Sequence, residues 1–241
     1  MQVIRYSNLG LIDYKTAWDF QKKYFAELID AKQNKPDSSF IYNRLLFCEH
    51  NPVYTLGRHG DINNLLFSKE QINAMGADFF EIERGGDITY HGPGQITGYT
   101  LWDLDSLGMG IKRYIEGLEE SIISFLADYN LQGSRIKEAS GVWLDAGKPG
   151  RERKICAVGV KASHNVTMHG FALNVNTDLA WFQKIVPCGI MDKGVTSLEK
   201  ETGIKHNFEE IKQQLVEHIA KTFNFEVVEE KIVLNNSVLQ Q

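Results

Sequence analysis

Residues 154–175 read Lys-Ile-Cys-Ala-Val-Gly-Val-Lys-Ala-Ser-His-Asn-Val-Thr-Met-His-Gly-Phe-Ala-Leu-Asn-Val. This stretch contains two β-branched runs, 154–162 and 166–175, and the polar residues between them predict a hairpin. Similar runs, most of them bounded by Gly, Asn, Asp or Pro, lie at 3–9, 44–49, 79–83, 97–102 and 141–145. Because the strands come in clusters and do not alternate strictly with helices, the sequence predicts an α+β fold with a mixed sheet, and not a doubly wound parallel sheet.

Four segments carry helical signals. Asp13 is placed to cap a helix that runs to about residue 34, just before Pro36. Apolar residues spaced three and four apart predict a second long helix near 111–129 and a third near 207–223. A short helix is expected to begin at Ser68. By default we expect all four helices to be scaffold.

Composition limits the class of protein. The chain has 241 residues, 43% of them hydrophobic and 24% charged, so we expect one globular domain over 1–241 with a peripheral tail after about residue 230. A net charge of −5 gives no general attraction to nucleic acid or to an anionic membrane. No long apolar run or secretory signal pattern occurs, and the three cysteines are irregularly spaced. We therefore expect a cytoplasmic, monomeric protein with reduced thiols.

The block Arg-Gly-Gly-Asp-Ile-Thr-Tyr-His-Gly-Pro-Gly-Gln at 84–95 follows an apolar strand and combines glycines with polar side chains. Such a loop lets backbone amides approach a ligand closely. The alternative is a tight surface loop that needs glycine only for its turns. The block has neither a Walker motif nor Gly-x-Gly-x-x-Gly spacing, so nucleotide phosphate binding is poorly supported.

Cys188 lies in Ile-Val-Pro-Cys-Gly-Ile, where proline fixes φ before the thiol and glycine leaves the backbone after it open to a bulky substrate. This setting suits a nucleophile. Lys154 begins a strand and is a candidate partner, although a lysine at a strand end is more often only solvated. Cys48 and Cys156 lie in apolar runs and are expected to be buried small hydrophobes. The Cys and His spacings do not match a zinc site, so no metal is expected.

Six segments in order resemble the lipoyl(octanoyl) transferase family. They are Glu-His-Asn-Pro-Val-Tyr-Thr-Leu-Gly-Arg at 49–58, the block at 84–95, Gly-Val-Trp at 141–143, Lys-Ile-Cys-Ala-Val-Gly-Val at 154–160, His-Gly-Phe-Ala-Leu-Asn at 169–174 and Ile-Val-Pro-Cys-Gly-Ile at 185–190. The resemblance implies the biotin/lipoate protein ligase-like fold, a mixed sheet flanked by helices. It also implies an acyltransferase that moves octanoyl from octanoyl-acyl carrier protein to the lysine ε-amine of lipoyl domains. The acceptors so implied are the E2 subunits of 2-oxoacid dehydrogenases and the glycine cleavage H protein, and no cofactor is implied.

The resemblance also implies the site residues. Cys188 would be the acyl-thioester nucleophile and Lys154 its partner. The implied substrate-binding residues are Arg84, Gly85, Gly86, Asp87, Ile88, Thr89, Tyr90, His91, Ala157, Val158, Gly159, Gly170, Phe171 and Ala172. We also expect His91 and Tyr90 to orient the carbonyl or the incoming amine.

Three other functions remain open on the sequence. An ATP-dependent lipoate or biotin ligase on the same fold would bind nucleotide and would not need Cys188. A thioesterase would release free octanoate to water. A non-catalytic lipoyl-domain or acyl-binding module would bind the same groups without turnover. The transferase is preferred because it alone uses the thiol, the lysine and the missing nucleotide loop together.

Overall fold

The computed structural model describes residues 2–34, 42–186 and 193–232. Within these ranges the helices are α1 (Tyr14–Asn34), α2 (Lys69–Ala74), α3 (Ile111–Ala127), α4 (Leu198–Thr202) and α5 (Phe208–Phe223). The strands are β1 (Gln2–Leu11), β2 (Arg44–Glu49), β3 (Val53–Leu56), β4 (Asp78–Glu81), β5 (Ile88–His91), β6 (Gln95–Leu101), β7 (Ser134–Ile136), β8 (Ala139–Leu144), β9 (Arg153–Ser163), β10 (Val166–Asn174), β11 (Gly194–Val195) and β12 (Phe225–Glu229). Most of the predicted tail, residues 233–241, lies outside the described residues.

The predicted helices are confirmed, and so are Asp13 and Ser68 as the residues that begin two of them. The Asp13 carboxylate accepts a hydrogen bond from the Thr16 amide at 2.9 Å at the start of α1. Ser68 and Gln71 form a reciprocal capping box at α2. Asn207 caps α5 through the Glu209 amide. None of the described helices is both long enough and apolar enough to cross a bilayer.

The large sheet is mixed, as predicted. In the described part of the chain its strand order is β12-β1-β2-β6-β10-β9-β8-β7, with β11 added beside β9. β1 runs parallel to β12 and to β2, and β11 runs parallel to β9. The central strands β2, β6, β10, β9 and β8 pair antiparallel.

A second sheet of three strands, in the order β4-β3-β5, was not predicted. β5 lies inside the glycine-rich block that the sequence presented as a loop, and it pairs antiparallel with β3 from Val53↔His91 to Leu56↔Ile88. The predicted mixed sheet is confirmed, and the small sheet is an addition to it. Four residues flanked by glycines carry too little periodicity to identify a strand, and the partner lies far away in the sequence.

The core occupies both faces of the large sheet. On one face α3 and α5 pack through a cluster that includes Trp102, Phe125 and Leu215. On the other face α1 packs through a cluster that includes Phe25 and Met168. The small sheet lies beside α1, because Tyr14 of α1 shares a further cluster with Val53 of β3 and with Ile82, which follows β4. Helices therefore flank the sheet as expected.

The hairpin of 154–175 is confirmed. β9 and β10 pair from Val166↔Ser163 to Leu173↔Cys156. His164 and Asn165 form the connection with φ of 52° and 55°, and positive φ at both central residues is the type I′ pattern that matches strand twist. Cys48 and Cys156 are fully buried, as predicted.

Candidate active site

A cavity of about 590 Å³ lies between the large sheet and the segment 84–89. Its lining includes every predicted pocket residue except Tyr90, namely Arg84, Gly85, Gly86, Asp87, Ile88, Thr89, His91, Ala157, Val158, Gly159, Gly170, Phe171 and Ala172, together with Lys154. The structure therefore brings together residues from three separate parts of the sequence. A volume of this size is typical of a pocket for a small organic ligand.

The floor of the cavity is built from small residues on two paired strands. Ala157 pairs with Ala172, and Gly159 pairs with Gly170. Side chains that are paired across antiparallel strands lie on the same face, so these four residues leave free space above the sheet. A Cβ on Gly170 would lie 2.2 Å from the carbonyl oxygen of Gly98. Only glycine fits at that position.

The segment 84–89 forms the opposite wall and is fixed to the sheet at one end. The Gly85 amide donates to the carbonyl of Val160 at 2.9 Å. A Cβ on Gly159 would lie 3.1 Å from the carbonyl oxygen of Gly85. Asp87 anchors the other end, because its carboxylate accepts from the amide of Asp61 at 3.0 Å and from the side-chain amide of Asn64 at 2.5 Å. The wall is therefore preformed.

Arg84 is a buried cation whose guanidinium is turned toward the backbone. Its Nη2 donates to the Thr55 carbonyl at 2.7 Å and to Thr55 Oγ1 at 3.0 Å, and its Nη1 donates to the Gly85 carbonyl at 3.0 Å. These bonds join the wall segment to β3 of the small sheet. Arg84 also places a fixed positive charge beside the cavity.

His91 belongs to a chain of hydrogen bonds whose direction is determined. Asn174 donates to the Thr196 carbonyl at 2.9 Å, so its oxygen accepts from Gln95 Nε2 at 2.9 Å. Gln95 therefore presents its oxygen to His91 Nδ1 at 2.8 Å, and that nitrogen carries the proton. His91 Nε2 faces Thr55 Oγ1 at 3.4 Å as an acceptor.

Burial, with further contributions from His50 and Arg84, lowers the pKa of His91 to about 3. Burial likewise lowers the pKa of His50 to about 4. Both rings are neutral at physiological pH. The predicted pocket residue His91 therefore meets the cavity as an uncharged, oriented group.

Tyr90 does not line the cavity. Its ring stacks on Trp181 with centroids 5.5 Å apart and an interplanar angle of 3°. It also meets Tyr54 in the cluster of the small sheet. Alternation along β5 directs neighbouring side chains to opposite faces, so Tyr90 packs away from the site while His91 faces it. Its proposed role in orienting substrate has no support from this position.

Lys154 lies at the cavity, near the start of β9. Its Nζ donates to the Ser140 carbonyl at 3.1 Å and lies 4.6 Å from the centre of the Trp143 ring. β8 and β9 pair through Trp143↔Lys154, so one neighbouring strand supplies both contacts. The amine is held in place by a carbonyl and by an aromatic face.

Cys188 lies outside the described residues, which stop at Val186 and resume at Lys193. Lys193 and Gly194 line the cavity. β11 then pairs beside Lys154 through Gly194↔Arg153 and Val195↔Lys154. Lys193 forms an ion pair with Glu152 at 2.7 Å.

Several cavity residues were not predicted. They include Tyr14 of α1, Thr97 and Tyr99 of β6, and His169 of β10. In the sequence His169 was quoted only as the first residue of the segment 169–174 and was given no role. Each looks like an ordinary residue of a helix or strand, and only the strand register brings it to the cavity. The nearest sequence signal was the position of His169 directly before the small residues of β10.

The fold is that of a known class of protein, the lipoyl protein ligases and their relatives. Residues 13–220 match the family model of the lipoyl protein ligase A/B catalytic domain, and the chain belongs to this family. A bi-partite lipoate protein ligase from the archaeon Thermoplasma acidophilum has a similar structure, with a TM-score of 0.70 at 15% identity over 97% of this chain and 88% of that one. The expected biotin/lipoate ligase-like fold is thereby confirmed.

Curated relatives narrow the class further. The chain is 54% identical over 215 residues to an octanoyltransferase of Parabacteroides distasonis, covering 89% of this chain and 96% of the relative. It is 49% identical over 231 residues to an octanoyltransferase of Flavobacterium psychrophilum, covering 94% and 99%. The chain is therefore an acyltransferase.

Proposed function

We propose that the protein transfers octanoyl from octanoyl-acyl carrier protein to the lysine ε-amine of lipoyl domains, through an acyl thioester on Cys188. The observation that carries the proposal is the cavity floored by Ala157, Gly159, Gly170 and Ala172 with the Lys154 amine at its side. The names of the curated relatives support octanoyl as the group transferred.

In the first step the thiolate of Cys188 attacks the carbonyl carbon of the donor thioester. A carbon–sulfur bond to Cys188 forms, and the bond to the carrier thiol breaks. The proton of Cys188 passes by way of Lys154 to the departing thiolate. One thioester replaces another, so the exchange is nearly balanced and needs no ATP.

In the second step the acceptor lysine attacks the acyl-Cys188 carbonyl as a neutral amine. An amide bond forms, the carbon–sulfur bond breaks, and the thiol of Cys188 is restored. A lysine amine in water is almost wholly protonated at neutral pH, so the acceptor must lose a proton before attack. Lys154 accepts that proton in this proposal.

Two features of the described residues support these roles. The Lys154 amine has a defined position between the Ser140 carbonyl and the Trp143 ring, which suits a group that must meet a reacting atom. Lys193, five residues after Cys188, lines the same cavity. The proposed acceptors are lipoyl domains of 2-oxoacid dehydrogenase E2 subunits and the glycine cleavage H protein, and the proposed location is the cytoplasm.

Intact-protein mass spectrometry after incubation with octanoyl-loaded acyl carrier protein tests the proposal. We expect an octanoyl adduct that is lost on treatment with a small thiol and that moves to a lipoyl domain without ATP. Cys188→Ser should form no thiol-labile adduct, whereas Cys156→Ala, which alters a buried cysteine of the core, should still form it. The Lys154→Met variant should slow adduct formation by at least 100-fold.

Other outcomes would identify the competing functions. Transfer that requires ATP and persists in Cys188→Ser would support a ligase. Free octanoate without an acceptor would support a thioesterase. Binding of both substrates without any adduct would support a non-catalytic module. Each of these results contradicts the proposed transferase.

A further inference from the structure

The Lys154 amine marks one end of a path through the cavity. Its Nζ bonds to the Ser140 carbonyl, and the next residue of β8, Gly141, pairs with Ala157. The amine therefore lies about level with Ala157, well along β9 from the Lys154 backbone. If an acyl group reacts beside this amine, its carbonyl carbon lies there and its alkyl chain extends from there into the cavity.

Among the β10 residues that line the cavity, His169 is the one farthest along the strand from that amine. It pairs with Val160, three residues beyond Ala157 on β9, and it lines the same cavity. Strand residues advance by about 3.3 Å and strands lie about 4.8 Å apart. The amine is bonded to β8, on the other side of β9 from β10, so His169 lies roughly 11 to 14 Å from it. At about 1.3 Å per carbon–carbon bond, an extended eight-carbon chain spans about 9 Å before the radius of its terminal methyl is added. An eight-carbon chain that starts beside the amine therefore ends close to His169.

The position of His169 is fixed by its backbone. Its amide donates to Gln21 Oε1 of α1 at 3.0 Å, and its carbonyl accepts from Thr100 Oγ1 at 3.2 Å. Its φ of 63° is in the left-handed region, which interrupts regular strand geometry between Met168 and Gly170. This irregularity allows the imidazole to meet the cavity next to the small-residue floor.

The imidazole presents an unsatisfied polar edge. His169 is only 3% exposed, and within the described residues its Nε2 has no hydrogen-bond partner. Burial, with smaller effects of Arg84 and Lys161, lowers its pKa to about 3, so the ring is neutral. At this end Arg84 and Gly85 also lie close over Gly159, where an added Cβ would be 3.2 Å from the Arg84 side chain.

We propose that His169 closes the far end of the acyl cavity and limits the acyl chain to about eight carbons. This inference rests on the proposed acyl transfer and adds the residue that sets its chain-length specificity. A longer chain must displace the ring or place methylene groups against its polar edge, and both are unfavourable.

The test compares acyl carrier protein loaded with six-, eight-, ten- and twelve-carbon chains in single-turnover formation of the adduct. The His169→Gly variant removes the ring and suits the positive φ. Each newly buried methylene raises the rate by about fourfold, so the ten-carbon to eight-carbon rate ratio should rise more than tenfold. The His164→Gly variant is the matched control, because it changes a histidine of similar φ in the turn of the same hairpin. Its ratio should stay within twofold of the unaltered chain.

A second variant and a second measurement keep the inference testable if the His169→Gly variant does not fold or the chain forms no adduct. The His169→Asn variant keeps a residue that tolerates left-handed backbone and should give a smaller shift in the same direction. Calorimetric binding of free fatty acids of the same lengths reads the length limit without any reaction. Failure of the unaltered chain to form an adduct would refute the proposed function, and the binding profile would still decide on His169. An unchanged length profile in a folded His169 variant would overturn the inference.

Discussion

His91 has a partner for each ring nitrogen, so its own ring is held in one orientation. Its Nδ1 donates to Gln95, and its Nε2 faces Thr55. Gln95 can accept from His91 only because its own amide donates to the Tyr90 carbonyl and to Asn174. The tautomer of His91 thus follows from bonds made elsewhere in the molecule.

The Gln95→Glu variant should change the charge of His91. A carboxylate next to Nδ1–H stabilises the imidazolium, so the pKa of His91 should rise from about 3 into the range of ~5 to 7. NMR observation of the His91 ring protons between pH 4 and 8 measures this directly. We expect a titration in the variant and none in the unaltered chain.

The Gln95→Met variant is the matched control for that experiment. It has similar length and no charge, so it removes the partner of His91 Nδ1 without favouring the protonated ring. If His91 titrates in the same pH range in both variants, the loss of the hydrogen bond and not the carboxylate is responsible.

α3 holds β8 against the cavity through one buried carboxylate. Glu119 accepts from the Gly141 amide at 2.9 Å and from Arg135 Nε at 3.0 Å. Gly141 has a φ of 118° and follows Ser140, whose carbonyl accepts from the Lys154 amine. The helix therefore contributes to the position of that amine, because Glu119 binds the Gly141 amide and the neighbouring Ser140 carbonyl binds the amine.

The Glu119→Ala variant should lower the free energy of unfolding by about 2 to 4 kcal/mol, because a buried amide loses its acceptor and Arg135 loses its partner. Urea denaturation measures this change. The Glu119→Gln variant keeps an acceptor for Gly141 and should lose clearly less stability. Equal losses in the two variants would show that the acceptor for Gly141 is unimportant.

Elements with a local signal were predictable, and elements that depend on distant partners were not. α1, α3 and α5 carry caps or apolar stripes within their own residues. β12 and β5 exist because they pair with β1 and β3, which no local window contains. The site divides in the same way. The glycine-rich block at 84–95 indicated a ligand site, and the family resemblance supplied residues 157–159 and 170–172. The place of His169 in the cavity depends instead on strand register and on its own left-handed backbone.

Three neutral histidines inside the fold make the stability of the whole protein sensitive to acid. The pKa values of His50, His91 and His169 are lowered to about 4, 3 and 3. Below the unfolded value near 6.5 the unfolded chain binds protons that the folded chain excludes. Their contribution is thus fully present above pH ~6.5 and is lost as the pH falls toward 4.

We expect the free energy of unfolding to fall by up to about 1.4 kcal/mol per pH unit for each of these histidines between pH 6.5 and 4.5. Urea denaturation at pH 7, 6 and 5 measures the slope. The His50→Gln variant should reduce the slope by roughly one third, and the His164→Gly variant should leave it unchanged. A flat profile in the unaltered chain would contradict the burial of neutral rings.

The parallel pairing of β1 with β12, from Gln2↔Phe225 to Tyr6↔Glu229, has a consequence during synthesis. Among the described strands β1 is synthesised first and β12 last. In the sheet, however, β12 is one of the two neighbours of β1. Until β12 leaves the ribosome, one backbone edge of β1 is open to any other extended chain nearby. The time taken to translate the residues between them therefore sets how long each nascent chain is exposed to aggregation.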